Sequence, residues 1–487
     1  MAYILGIDQG TTQTTSVIVD ETGKLIAKNS VQVPARFPRP GWVEQDPWDI
    51  VRTVRECALP LIEHFAPVAA GFDNQGETFL LWDAVTGEPL TPAIVWQDKR
   101  AASLCESLAG RVDHDRLRRV TGLLLDSYFS APKLKYVLEH DPAVRAAVDS
   151  GSARFGTTDT WTIWTLTHGR LHVTDPSTAS RTLLFDVNRF DWDDELIALF
   201  DARRELLPSV VPSAGYVGDL DFGAGRSVPL HALLVDQQAA LFGQACFAPG
   251  EMKCTFGTGS FLLMNTGREM RLSTQGLLTT VAWQFDGQAA YALDGGIFVT
   301  GSAVQWLAES LKLIADPAAS ATAAARSTDQ DVVFVPALQG LAAPHWNADA
   351  RGALFGLSRG TGPDDLARAT LDGIACRVYE VVQAMAQDAG RAPTTLKVDG
   401  GPSANSYLMQ AIADLLNLDV RVAAAREATA IGVAQLAAHS ALGLSLADLA
   451  ALWEAEAAYR PRMTEPERRS RLERWNRALA ALRLFHE

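Results

Sequence analysis

The chain has 487 residues, 48% of them hydrophobic and 21% charged, with a formal net charge of −14. That length accommodates two or three domains with sizeable cores, and the acidic balance argues against a nucleic-acid or anionic-membrane surface. The five cysteines are odd in number and lack metal-ligand spacing, which predicts reduced thiols and a cytoplasmic protein rather than a disulfide or zinc scaffold. No apolar stretch is long enough to span a bilayer, and the N-terminus has no leader pattern, so membrane insertion is not expected. His345, beside Trp346, reads as structural.

Residues 3–7 and 16–19 read as strands joined by Asp8-Gln9-Gly10-Thr11-Thr12, a hairpin with glycine and hydroxyls at its tip. Consecutive amides and threonine hydroxyls there can hold phosphate oxygens. A helix is predicted over residues 47–66, strands at 79–82 and 94–96, and helices over 99–109 and from about 132 onward. This interleaving indicates α/β architecture other than a simple barrel. Asp236-Gln237-Gln238 places a carboxylate between the halves; alone, Asp236 reads as a helix N-cap. Residues 244–250 read as a crossing between domains, because a hairpin of the same design follows at once around Gly257-Thr258-Gly259-Ser260. A second α/β domain runs to about Leu442, with the Ala/Ser-rich stretch 318–327 expected as an exposed loop or helix end. In residues 465–485, Leu472, Trp475, Leu479 and Leu482 share one helical face, which predicts an amphipathic helix packed on the body. Two such hairpins, the carboxylate between them and the glycine pair in Asp399-Gly400-Gly401-Pro402-Ser403-Ala404-Asn405 suggest a nucleotide clamped between two related domains. The boundaries fall at 1–245 and 246–442, with a helical segment over 443–487.

These segments resemble the FGGY carbohydrate kinases over nearly the whole chain. Ser130-Ala131-Pro132-Lys133-Leu134-Lys135-Tyr136 is similar to one family signature, with Tyr136 where tryptophan is usual. Gly352-Ala353-Leu354-Phe355-Gly356-Leu357 through Ala369-Thr370-Leu371-Asp372 is similar to the other. Ile94-Val95-Trp96-Gln97-Asp98, Asp126-Ser127-Tyr128-Phe129-Ser130 and Gly276-Leu277-Leu278-Thr279-Thr280 resemble stretches of members that act on glycerol. The resemblance implies two actin-like, ribonuclease-H-type α/β domains, with ATP and substrate in the cleft between them.

Phosphoryl transfer needs positioning, neutralised phosphate charge and removal of the alcohol proton. The resemblance implies Asp236 as the general base, and Asp8 and Asp236 as the carboxylates near a Mg2+ ion held partly through water. It implies Gly10, Thr11, Thr12, Gln13 and Thr258 as phosphate contacts, Gly301 and Gln305 as nucleotide contacts, and Gly401 and Asn405 as the adenosine site. Glu77, Tyr128, Asp236 and Gln237 match polyol contacts, a mix of acceptors and donors; Trp96 and Phe261 match the apolar wall behind the carbon chain.

Three departures stand out. Gly76 replaces the arginine of Asn-Gln-Arg-Glu-Thr, removing a charged donor worth about 1.5–3 kcal/mol per bond and vacating space. Thr15 stands where a second basic residue is usual, and Val235 replaces a glycine before Asp236. Asp221-Phe222-Gly223-Ala224-Gly225-Arg226 only partly resembles a regulatory loop of relatives, and that regulation is not carried over. The implied reaction is ATP-dependent phosphorylation of a small polyol, glycerol to glycerol 3-phosphate. A longer polyol (tetritol or pentitol) or a ketose is the alternative that Gly76 opens, and a catalytically weak sugar or nucleotide sensor is the third. A homodimer or homotetramer without nucleic-acid partners is expected.

Overall fold

The computed structural model describes residues 2–486. Strands β1 (Tyr3–Gln9), β2 (Gln13–Asp20), β3 (Leu25–Gln32), β4 (Ala69–Asn74), β5 (Ala214–Gly223) and β6 (Arg226–Val235) form one sheet, in the order β5-β6-β4-β1-β2-β3. A second sheet runs β9-β10-β8-β7-β11-β12-β13. Its strands are β7 (Met252–Phe256), β8 (Ser260–Gly267), β9 (Leu278–Phe285), β10 (Gln288–Ile297), β11 (Thr395–Gly400), β12 (Asp419–Ala423) and β13 (Ala455–Tyr459). In each sheet the first strand of a hairpin pairs antiparallel with the second and parallel with a later strand. That strand in turn pairs parallel with another. One topology is thus used twice, which is the duplicated actin-like fold.

Period-two alternation explains how the first sheet is covered. Leu5, Ile7, Ile18 and Phe72 face α1 (Pro47–Phe65) and α2 (Thr158–Leu166). Helix α1 starts where Asp46 accepts from the Trp48 amide, with Pro47 in the first turn, and ends at Ala66 in a left-handed conformation. The opposite face, Ile4, Val17, Val19, Ala69 and Leu234, is covered by a helix from far along the chain. After α3 (Asp236–Gly243), α4 (Pro363–Ala389) and α5 (Ser406–Leu416), helix α6 (Ala428–Leu442) returns to pack on β1, β4 and β6. Its residues 430–438 are all buried, as an all-round apolar helix demands.

Helices α3 and α6 cross through glycines. A Cβ on Gly432 would lie 1.9 Å from the Ala239 carbonyl oxygen, and one on Gly243 would lie 2.0 Å from that of Ala428. Helix α7 (Glu465–His486) packs Trp475, Leu479 and Leu482 into the second core with Leu472 at its edge, on the face the spacing predicts. His345 faces this helix: its Nε2 is 3.2 Å from Glu380 Oε1, and Arg483 contacts its Nδ1. All five cysteines are buried free thiols. No described helix is long and apolar enough to cross a membrane.

Candidate active site

Three parallel strands deliver carboxylates to one edge of the first sheet. Asp8, near the end of β1, is in register with Asp73 on β4, and Val235 at the end of β6 is in register with Asn74. The next residue, Asp236, opens α3. Val235 sits in ordinary extended backbone (φ −79°, ψ 151°), so valine in place of glycine strains nothing there. Val235 is also the residue at the cap position. Asp236 lies one step inside the helix and accepts from the Gln237 amide at 2.6 Å, so the N-cap reading is corrected.

Burial pushes the Asp236 carboxyl up to about 7, helped by the negative charges of Glu77 and Asp8 and opposed by Lys253. Burial likewise raises Asp8 and Asp73, with Asp8 and Asp236 acting on Asp73 as like charges. Asp73 meets the Asp8 side chain, and neither of its oxygens has another hydrogen-bond partner. Buried carboxylates this close are costly when both are charged, and a hard cation among phosphate oxygens is the chemical partner that this cluster suits. Among the described residues no three His, Cys, Asp or Glu side chains form a closed cage. An ion here would therefore take most of its ligands from phosphate and water, as Mg2+ does.

Beside these carboxylates lies a cavity of about 70 Å³ lined by Glu77, Trp96, Tyr128, Arg181, Asp236 and Phe261, among others. Trp96 makes edge contacts with Tyr128 and Phe261, at ring separations of 5.6 and 6.2 Å. Carboxylates, a guanidinium and a phenol there can meet hydroxyls, while the aromatic faces can lie along a short carbon chain. Gln237 also lines it, accepting from Lys253 Nζ at 2.5 Å. Thr11, expected at phosphate, stands on this wall instead: Trp96 Nε1 donates to its hydroxyl at 2.9 Å, and that hydroxyl donates to Gln75 Oε1 at 3.0 Å. The room expected at Gly76 is absent. A Cβ there would meet Val235 Cγ2 at 2.3 Å, so the valine stands where a side chain at 76 would begin. Gly76 thus opens no room of its own for a longer substrate.

The larger cavity, about 500 Å³, lies in the second half and is lined by Thr258, Gly301, Gln305, Gly401 and Asn405, together with Ser320. Gly301 permits a close crossing, since its Cβ would be 2.6 Å from the Gly257 carbonyl oxygen, whereas Gly401 borders open space. Asn405 caps α5 through the Leu408 amide (2.9 Å) and donates to Ser320 Oγ (2.9 Å). The stretch expected as an exposed loop or helix end is a short helix, Ser320–Arg326, preceded by a turn at Pro317–Ala319, and it is partly buried rather than exposed. Its small side chains allow Ser320, Ala323 and Ala324 to be buried against α4. Gly10, Thr12 and Gln13 line neither cavity. They form the tip of the first hairpin, where the Gly10 amide donates to the Gln13 carbonyl at 3.0 Å, next to Asp8.

Sequence reasoning missed Asp73, Arg181, Lys253 and Asp294. Arg181 Nε donates to Glu77 Oε1 at 2.7 Å, and its Nη1 lies 3.0 Å from Asp294 Oδ2, outside hydrogen-bond alignment. A signal existed: Arg181 is the one charge in residues 176–185, an otherwise apolar and hydroxyl-bearing run.

Residues 3–243 match the N-terminal domain, and residues 252–441 the C-terminal domain, of the FGGY family of carbohydrate kinases. The chain is 45% identical to a glycerol kinase of Aromatoleum aromaticum, with 99% of each covered. It is 46% identical to that of Thermus brockianus, with 98% of each covered. Among solved structures, it is similar to a Plasmodium falciparum glycerol kinase with ADP, at a TM-score of 0.94 and 33% identity, covering 99% of this chain and 98% of that one.

Proposed function

The chain belongs to the FGGY family of carbohydrate kinases, and from that premise we propose that it transfers the γ-phosphoryl group of ATP to a terminal hydroxyl of glycerol. The observation carrying this reading is the small cavity that Trp96 and Phe261 wall and that Glu77, Tyr128 and Asp236 line with hydroxyl-binding groups. Asp236 accepts the alcohol proton as the bond to phosphorus forms. Its carboxyl, raised to about 7 by burial, is matched to that task near neutral pH. Glu77 accepts from a second hydroxyl, and Tyr128 sets the substrate against Trp96. Adenosine occupies the larger cavity between Gly401, Asn405 and Gln305, with Thr258 at the phosphates. Asp8 and Asp236 would hold Mg2+, partly through water, which neutralises phosphate charge when bound. The first hairpin then meets the phosphates from the opposite side. Five buried thiols support a reducing, cytoplasmic setting.

The test is ADP release with glycerol, and the variant Asp236→Asn. The amide keeps the shape but takes no proton, so turnover falls about 10²–10⁴-fold while ATP-analogue binding persists. Turnover within a few-fold of the parent removes Asp236 from the role.

A further inference from the structure

We propose that Arg181 supplies the guanidinium that reads the substrate hydroxyls, and that Gly76 and Val235 form one coupled exchange that seats this function away from position 76. The inference rests on the polyol kinase reading and specifies how its cavity discriminates.

The steric half comes from position 76. With Val235 Cγ2 2.3 Å and Arg181 Cγ 3.3 Å from where a Cβ would stand, a side chain there must displace Val235. Valine at 235 therefore requires glycine at 76. The Val235 amide is held by Ser177 Oγ at 2.9 Å, in the short helix Pro176–Ala179 that Asp175 caps. The segment that fixes Val235 is thus the one that carries Arg181.

The chemical half comes from the guanidinium itself. Arg181 is 4% exposed and lines the cavity, where it is the one cation among the lining residues. Five N–H donors belong to such a group. Nε is used by Glu77 and Nη1 is ion-paired with Asp294 at 3.0 Å, which leaves Nη2 as the free arm of the fork. That charged arm, in a cavity it shares with Glu77, Asp236, three glutamines and the aromatic wall, suits hydroxyl oxygens. The Glu77 bond fixes the plane of the fork, so donor and acceptor reach the substrate as a unit.

The experiment compares kcat/KM for glycerol, propane-1,2-diol and propane-1,3-diol in the parent, Arg181→Lys and Arg181→Met. A charged hydrogen bond to one hydroxyl makes the parent disfavour the diol lacking it by about 10- to 100-fold. In the Arg181 variants glycerol efficiency drops by a similar factor, and the gap between glycerol and that diol closes to a few-fold. An unchanged gap in a slower variant would mean that Arg181 only braces Glu77, and would overturn the proposal. Because Arg181→Met leaves Glu77 and Asp294 without their cation, a second arm keeps Arg181 and combines Gly76→Arg with Val235→Gly. Gly76→Arg alone loses melting temperature and activity, and the double variant recovers both. A double variant no better than Gly76→Arg alone refutes the exchange. The melting arm needs no substrate, so a parent inactive on glycerol defeats the functional reading while the steric coupling is still decided.

Discussion

Gly432→Ala tests whether the α3–α6 crossing holds the general base in place. In an isolated helix, alanine for glycine is favourable by about 1 kcal/mol. Here the added Cβ would lie 1.9 Å from the Ala239 carbonyl oxygen and 2.7 Å from the Gly243 amide nitrogen, both backbone atoms that cannot rotate away. Reaching ordinary contact near 3.4 Å requires the helices to separate by roughly 1.5 Å, which outweighs the propensity gain by overpacking costs of about 1–3 kcal/mol. Ala239 is three residues beyond Asp236 on a helix of eight residues, so the displacement reaches the carboxylate. A misplacement of about 1 Å can cost about 10²-fold in rate. The expected outcome is a kcat loss of that order with a fall in melting temperature of only about 1–3 °C, because a chain of this size unfolds with an entropy near 1 kcal/mol per kelvin. Gly110→Ala is the control: nothing lies within 4 Å of its Cβ position and its φ is −79°. Scanning fluorimetry and an ADP-coupled assay report both quantities. Gly432→Ala with parental kcat would show that the crossing does not position Asp236.

The acid side of the stability profile should depend on His172. Burial lowers its pKa from 6.5 to about 4, with its Nε2 2.8 Å from the Phe155 carbonyl and Trp82 and Trp164 packed edge-on. Its folded pKa is depressed, so this stability is fully present above pH 6.5 and lost as pH falls towards 4. The loss is at most about 3 kcal/mol, less for partial exposure. His172→Gln should flatten the decline in melting temperature over that window, and a parallel decline in both proteins would sink the assignment. ATP analogue with Mg2+ at about 100-fold over its dissociation constant adds about 2.7 kcal/mol, or about 3 °C. Hydrogen exchange should then slow at both hairpin tips, Gly10 to Gln13 and Gly257 to Gly259, and protection confined to the second would contradict a clamp.

Local signals carried most of the fold into view. The two glycine-tipped hairpins, the capped helix after Asp46 and the four-residue apolar face of α7 are each set by neighbours in sequence, and periodicity reports neighbours. What escaped lies in contacts across the chain. Gly76 and Val235 read as two separate oddities, yet they touch, and only that contact shows that the glycine makes no extra room. Arg181 meets Glu77 across 104 positions. Residues 318–327 read as an exposed loop or helix end because small residues carry weak periodicity, although smallness is what lets that helix press against α4. Thr11 was legible as a hairpin tip, but its hydroxyl is captured by Trp96, 85 positions further along the chain.

The returning helix α6 has a consequence for how the protein is made. One face of the first sheet, with Ile4, Val17, Val19, Ala69 and Leu234, shares its core with α3 and is completed by residues 428–442 and by Leu449 behind them. On the ribosome, at about 5–20 residues per second, that cover arrives roughly 10–40 s after β6 is complete. During this interval the nascent chain presents an apolar sheet face that its last covering helix has not yet reached, a natural client for a holding chaperone.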